Sequence, residues 1–203
     1  MNNYEPDQHR WDEYYEAVSG RPPRELFRQA IIRFGQADQP SRLAIDLGCG
    51  AGTETVALVS QGWRVLAIDQ QPEAIAQVMS RVAPEHQARL ATQILSFEQV
   101  ELAGSDFIWA GASLPFCPPE HFPRLWEKIV TSLRAGGRFA GDFFGIRHAW
   151  ANQKEMTFHT VKQIKALCQP LHIEYFIIEE GEKLTAHDGL QHWHAYSVIA
   201  RKP

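Results

Sequence analysis

Three glycines at alternate positions, Gly48, Gly50 and Gly52, follow an apolar run that carries a carboxylate near its end, Leu43-Ala44-Ile45-Asp46-Leu47. A helical pattern starts directly after them at Thr53. Glycine has no Cβ to hold a ligand off the main chain and takes φ > 0 without penalty. Such a turn at the carboxyl edge of a first strand reads as a nucleotide-type cofactor loop, in which Cys49 contributes main chain between two glycines. A second apolar run, Arg64-Val65-Leu66-Ala67-Ile68, ends in Asp69. A carboxylate about 20 residues past the loop is placed to accept from both hydroxyls of a ribose, with Gln70 beside it.

The spacing narrows the ligand. A dinucleotide fingerprint reads G-x-G-x-x-G, whereas here Thr53 holds the place of the third glycine. Asp46, just before the loop, is a poor neighbour for a pyrophosphate and a suitable one for an ammonium group or a ribose hydroxyl. A terminal acid on the second strand is shared with nicotinamide binders, so a nicotinamide-dependent oxidoreductase stays as a rival reading.

Helix and strand patterns alternate, which predicts an α/β layered sheet. Trp11, Tyr14, Tyr15 and Val18 form one face of a short helix, and Leu26, Phe27, Ala30, Ile31 and Phe34 the face of a second, closed by Gly35. Val56 and Val59 point inward after the loop. Pro72 opens a helix with Ile75, Val78, Met79 and Val82 as its inner stripe. Strands are expected near 90–95, 107–110 and 138–144, with a helix between the last two whose face is Phe122, Leu125, Trp126, Ile129, Val130 and Leu133. A short helix near 160–168 precedes strands near 171–177 and 193–200, and the charged stretch Glu179 to Lys183 reads as the turn between them.

With these residues in place, Asp46-Leu47-Gly48-Cys49-Gly50-Ala51-Gly52 resembles motif I of class I S-adenosylmethionine-dependent methyltransferases, and Asp69 the acid that ends their second strand. Leu133-Arg134-Ala135-Gly136-Gly137 resembles their L-x-P-G-G turn before strand five, with Ala135 where Pro is usual. Phe143 to Trp150 and Gln191-His192-Trp193-His194 resemble a bacterial small-molecule branch near the tellurite-resistance type. The resemblance runs from about Trp11 to the C-terminus. It implies a Rossmann-like seven-stranded, mostly parallel sheet of order 3-2-1-4-5-7-6 with strand seven antiparallel and helices on both faces. It also implies S-adenosylmethionine as cofactor, S-adenosylhomocysteine as product, and methyl transfer to a small-molecule acceptor. The non-catalytic alternative is a module that binds the cofactor without turnover.

The resemblance assigns adenine contact to the segment of Ser96 and Phe97, and the methionine end of the cofactor to the edge at Ala110, beside Gly111-Ala112-Ser113. Trp11 or Tyr15 is expected as a lid over the cofactor. Methyl transfer needs alignment more than an acid–base group, so no catalytic residue is assigned and no metal is expected. Cys49 is read as a small loop residue rather than a nucleophile. Arg21, Arg24 and Arg147 are candidates for a carboxylate partner. His187, His192 and His194 are read as strand or pocket histidines.

The 203 residues suit one domain, with a helical cap over 1–35 and the core over 41–203. Hydrophobic content of 44% and charged content of 22% predict an ordinary globule. A net charge of −4 without a Lys/Arg-rich run argues against a nucleic-acid partner. The polar start has no signal-peptide pattern, and no run reaches a membrane span. Three scattered cysteines fit a reducing cytoplasm.

Overall fold

The computed structural model describes residues 20–35, 42–185 and 189–203. Its centre is a sheet ordered β3-β2-β1-β4-β5-β8-β7, with a two-residue strand β6 paired to β5 off this path. The strands are β1 (Leu43–Leu47), β2 (Arg64–Asp69), β3 (Leu90–Ile94), β4 (Ser105–Ala110), β5 (Leu133–Gly145), β6 (Phe158–His159), β7 (His172–Thr185) and β8 (Gly189–Arg201). β8 runs antiparallel to both neighbours, and the other pairs are parallel. With β6 set aside, this is the implied seven-strand order; among the described residues the short extra strand departs from it.

Each central strand is covered on both faces, which is why β1 and β4 are nearly continuous apolar runs. Successive side chains of a strand go to opposite faces. Ala44, Val65, Ala67, Phe107 and Trp109 therefore meet α1 (Glu25–Ile32), α2 (Thr53–Ser60) and α3 (Pro72–Arg81). Ile45, Leu47, Ile68, Ile108 and Phe139 meet α4 (Phe122–Ser132) and α5 (Val161–Leu167). Phe27 stands edge-on to Trp109 at 5.4 Å, and Trp126 edge-on to Phe139 at 5.0 Å. α1 is fixed at its entry by Glu54 in the first turn of α2. That carboxylate takes two hydrogen bonds from the Arg21 guanidinium, at 2.7 and 2.9 Å, and one from the Arg24 main chain at 3.0 Å.

Several details differ from the periodic reading. Met79 is 55% exposed, and Ala74 takes the inner place beside Ile75 and Val78. The inner face of α2 carries Thr55 and Leu58 with Val59, while Val56 is only half-buried. Glu179 to Lys183 is not a turn. It continues β7, where Glu180 is held by Arg147 at 2.6 Å and Glu179 by Lys183 at 2.5 Å. The Ala-Gly-Gly stretch lies inside β5 as a register shift between the pairs Ser105↔Leu133 and Phe107↔Arg138. The expected Trp11–Val18 helix lies outside the described residues.

Gly52 enters α2 with φ 78°, and a Cβ there would stand 2.6 Å from Val78 Cγ2 and 3.3 Å from the Val78 main chain. Gly62 has φ 88° with open space around it. Left-handed backbone costs a non-glycine residue about 1–2 kcal/mol. Gly62→Ala is expected to lose about that much stability, and Gly52→Ala clearly more, in urea unfolding. Equal losses would show that α3 does not constrain the turn.

Candidate functional site

The turn after β1 is built by hydrogen bonds to its neighbours. The N–H groups of Gly48 and Cys49 both donate to the Ile68 carbonyl, at 2.8 and 3.0 Å, and the Gly52 N–H donates to Cys49 at 2.9 Å. Gly48 and Gly50 take φ of 78° and 50° and remain half-buried, so part of each of these two residues is open to solvent. The space that a side chain at Gly48 would fill is occupied by Ser113, with the Phe97 ring 3.7 Å away. At Gly48 and Gly52 the need for glycine therefore arises within the protein: backbone conformation and packing against Ser113 and Val78. The Cys49 side chain is buried in the α1/α2 core, and burial beside Asp46 and Asp69 pushes its thiol well above the ordinary range. Its main-chain N–H and C=O are both used in building the turn, and its thiol is no nucleophile near neutral pH.

Asp69, at the end of β2, joins two loops. Its Oδ2 accepts from the Gly50 N–H at 2.9 Å, and its Oδ1 from the Gln71 N–H at 3.0 Å, ahead of Pro72 and α3. Burial raises its pKa, against the pull of these main-chain donors. A carboxylate offers about four lone-pair sites, so acceptor capacity is left beyond these bonds. Gln70, next to it, is exposed. Asp46 is 1% exposed and accepts from Thr55 Oγ1 of α2 at 2.6 Å. Burial raises its pKa to about 8, opposed by the Thr55 hydrogen bond and reinforced by Glu54 and Asp69.

The loops after β3 and β4 close on the same edge. Ser96 donates through its main chain and hydroxyl to Gln99, while Phe97 is half-buried beside Gly48. Ala110 is fully buried at the end of β4. Beyond it, Trp109 folds over Gly111 into the space a Cβ would need. Ala112 is the one non-glycine with positive φ, 54°, among the described residues. Ser113 Oγ donates to Leu47 O at 2.5 Å, which ties this loop to the glycine turn.

Asp142 belongs to this edge without being part of any motif in the sequence. Its Oδ2 accepts from the Ala112 N–H at 3.0 Å and its Oδ1 from Ser197 Oγ at 2.7 Å, so it anchors the strained Ala112 to β8. Burial raises its pKa. The available signal is a lone charge inside Phe139-Ala140-Gly141-Asp142-Phe143-Phe144.

Trp11 and Tyr15 lie outside the described residues, as do Tyr14 and His187. Arg21 is engaged by Glu54 and Arg147 by Glu180, so both have carboxylate partners inside the chain. His194 is buried and its Nδ1 accepts from the Arg147 N–H at 3.1 Å; His192 sits between Glu180 and Glu182. Among the described residues no group of three or more His, Cys, Asp or Glu side chains is arranged to hold a metal ion. Among them also, no helix is long and apolar enough to cross a membrane.

Residues 44–137 match the family described as "Methyltransferase domain". Trans-aconitate 2-methyltransferase of Deinococcus radiodurans is 32% identical over 137 residues, covering 64% of this chain and 46% of that protein. The chain spans less than half the length of the curated relatives it matches. Among solved structures, TehB from Haemophilus influenzae superposes with a TM-score of 0.74 at 15% identity, over 95% of this chain and 67% of that one. The N-methyltransferase NodS from Bradyrhizobium japonicum, solved with S-adenosylhomocysteine, superposes with a TM-score of 0.73 at 18% identity, over the whole of both chains. At such identities these likenesses concern the fold.

The Asp46 shift gives a pH dependence with a definite sign. Below its ordinary value of 3.8 the carboxyl is protonated in both folded and unfolded chains. Between there and about pH 8 the unfolded chain has released the proton and the folded chain holds it, so stability falls as pH rises. Asp46→Asn keeps the neutral shape. The variant is expected to show a flatter unfolding free energy between pH 5 and 8, read by urea titration at several pH values. Parallel curves for the two proteins would contradict a buried, proton-holding Asp46.

Proposed function

We propose that this chain, a member of the class I methyltransferase superfamily through residues 44–137 and its sheet order, binds S-adenosylmethionine and transfers its methyl group to a small-molecule acceptor. The observation that carries the reading is the Asp69 bridge. One carboxylate holds the main chain of the glycine turn and the entry to α3, and keeps acceptor capacity at the end of β2 beside the exposed Gln70. That arrangement suits a nucleoside: Asp69 for the ribose hydroxyls, with Gln70 beside it, and the half-buried main chain at Gly48 and Gly50 for close approach, with Gly52 setting the turn. Ser96 and Phe97 would flank the adenine. Ala110 and the loop to Ser113 would border the methionine end, while Asp46, buried on Thr55, would organise the turn from behind. Trp11 or Tyr15 is proposed as a lid over the cofactor.

When bound, the cofactor supplies an electrophilic methyl group on a sulfonium. The protein's part is alignment, which can contribute up to about 7–11 kcal/mol to lowering a barrier. Ser113 and Asp142 fix the loop that borders the transfer point by gripping Leu47 and Ala112. A general base is needed only for an acceptor that arrives protonated. The alternate glycines, with Thr53 in the third fingerprint place, disfavour a nicotinamide cofactor. Three buried free cysteines accord with a reducing cytoplasm, and the charge of −4 with a small molecule rather than a nucleic acid as partner.

Calorimetry with S-adenosylmethionine and with NAD separates the readings. The sulfonium cofactor is expected to bind and NAD not to. Asp69→Ala is expected to weaken binding about 10- to 100-fold, the worth of hydrogen bonds to a charged group. NAD binding alone would overturn the proposal, and cofactor binding with no S-adenosylhomocysteine released across a broad acceptor screen would favour the non-catalytic module.

A further inference from the structure

Beyond the carboxyl end of β5 lies a cluster of aromatic rings that the cofactor reading does not use. Phe144, Met156 and Ala195 are buried there, with Phe116, Trp150, Phe158 and Trp193 half-buried around them. His148 stands in their midst at 3% exposure. It stacks on Phe144 at 4.1 Å and meets Trp193 at 4.8 Å and Trp150 at 5.1 Å. Its Nδ1 lies 3.1 Å from the Trp150 N–H, which donates to it. Nδ1 is therefore the unprotonated nitrogen, and Nε2 carries the hydrogen. That Nε2 is buried and has no hydrogen-bond partner. Buried donors are nearly always paired, so an orphan calls for an explanation.

The position of the cluster is informative. Phe144 lies two residues past Asp142 on the same face of β5, and Asp142 holds Ala112. Phe116 ends the short 3₁₀ turn that starts after Ser113, the residue packed on Gly48. The rings thus continue the edge along which the proposed cofactor's methionine end would lie. We propose that the His148 Nε2–H and the rings around it form the acceptor subsite, and that it takes a neutral, planar aromatic or heteroaromatic molecule bearing a hydrogen-bond-accepting ring nitrogen or carbonyl oxygen. As a methyl-acceptor site, this rests on the methyltransferase reading above.

Charge argues for a neutral ligand. The imidazole is held neutral, because burial and the neighbouring His194 and His192 lower its pKa to about 4. Two cations beside the cluster are already engaged: Lys183 lies over Trp193 at 5.3 Å and pairs with Glu179, and Arg147 pairs with Glu180. A carboxylate brought among these rings would be stripped of water, and both of these cations already have carboxylate partners. The proton on Nε2 also means that His148 recognises the acceptor and does not serve as a base.

The test uses quinoline, naphthalene and 2-naphthoate as probes on the full chain saturated with S-adenosylhomocysteine, followed by long-range proton–nitrogen spectra of the histidines. Quinoline is expected to bind at least tenfold more tightly than naphthalene and to shift the His148 Nε2–H signal, with 2-naphthoate weaker than quinoline. His148→Phe keeps the stacking ring and removes the donor. It is expected to bring quinoline and naphthalene to within about twofold of each other while S-adenosylhomocysteine affinity stays unchanged. Equal binding of quinoline and naphthalene to the unaltered protein, an unmoved Nε2–H signal, or tighter binding of 2-naphthoate would each overturn the subsite. An unmoved signal would mean that the N–H is satisfied by an indole face. Failure of S-adenosylhomocysteine to bind would count against the methyltransferase reading instead, since the probe spectra can be recorded without it.

Discussion

The hydrogen bond from the Gly50 N–H to Asp69 Oδ2 joins the ends of two neighbouring parallel strands through a single carboxylate. The turn after β1 is also bound to the Ile68 carbonyl, so three donors of one loop converge on the last two residues of β2. Parallel register keeps those ends level, with Asp46 opposite Ala67 and Leu47 opposite Ile68. The glycine turn is thus held in shape by the adjacent strand as well as by its own left-handed glycines. Removing Asp69 would free both the turn and the entry to α3.

Around that bond the protein concentrates carboxylates that burial disfavours as anions. Asp46, Asp69 and Asp142 all have raised pKa values, and each accepts from a named donor. Groups perturbed in this way cluster where binding and chemistry occur. Each also bears a mechanical load. Asp46 holds α2 to β1, Asp69 holds the turn, and Asp142 holds the loop after β4. Ser113 closes the circuit by bonding Leu47 and filling the space beside Gly48. The edge of the sheet is therefore a preformed surface, not a set of independent loops.

Much of this is legible in the sequence where the signal is local. The alternating glycines, Asp46 and Asp69 are set by spacing over a few residues, and the two-residue and 3.6-residue periods place the strands and most helices. The strand order follows from the resemblance, because spacing carries no information on which strands pair. Met79 departs from its expected place because an amphipathic stripe blurs near its edge, and Ala74 takes the inner position. Glu179 to Lys183 resembles a turn because charge usually marks one; here each charge finds a partner along an edge strand. Asp142 is hidden for a different reason. Its partners Ala112 and Ser197 stand 30 and 55 residues away, and such a contact exists only after the sheet has formed. The same holds for His148, whose surrounding rings come from separate segments.

A crystal structure grown with S-adenosylhomocysteine would show whether the Gly50–Asp69 bond shapes the cofactor site. The ribose hydroxyls are expected on the Asp69 carboxylate and the nucleoside against the Gly48–Gly50 main chain, with the bond between Gly50 and Asp69 kept as it is. A saturated protein with the nucleoside elsewhere, or with Asp69 turned away from it, would contradict the claim that this bond shapes the cofactor site.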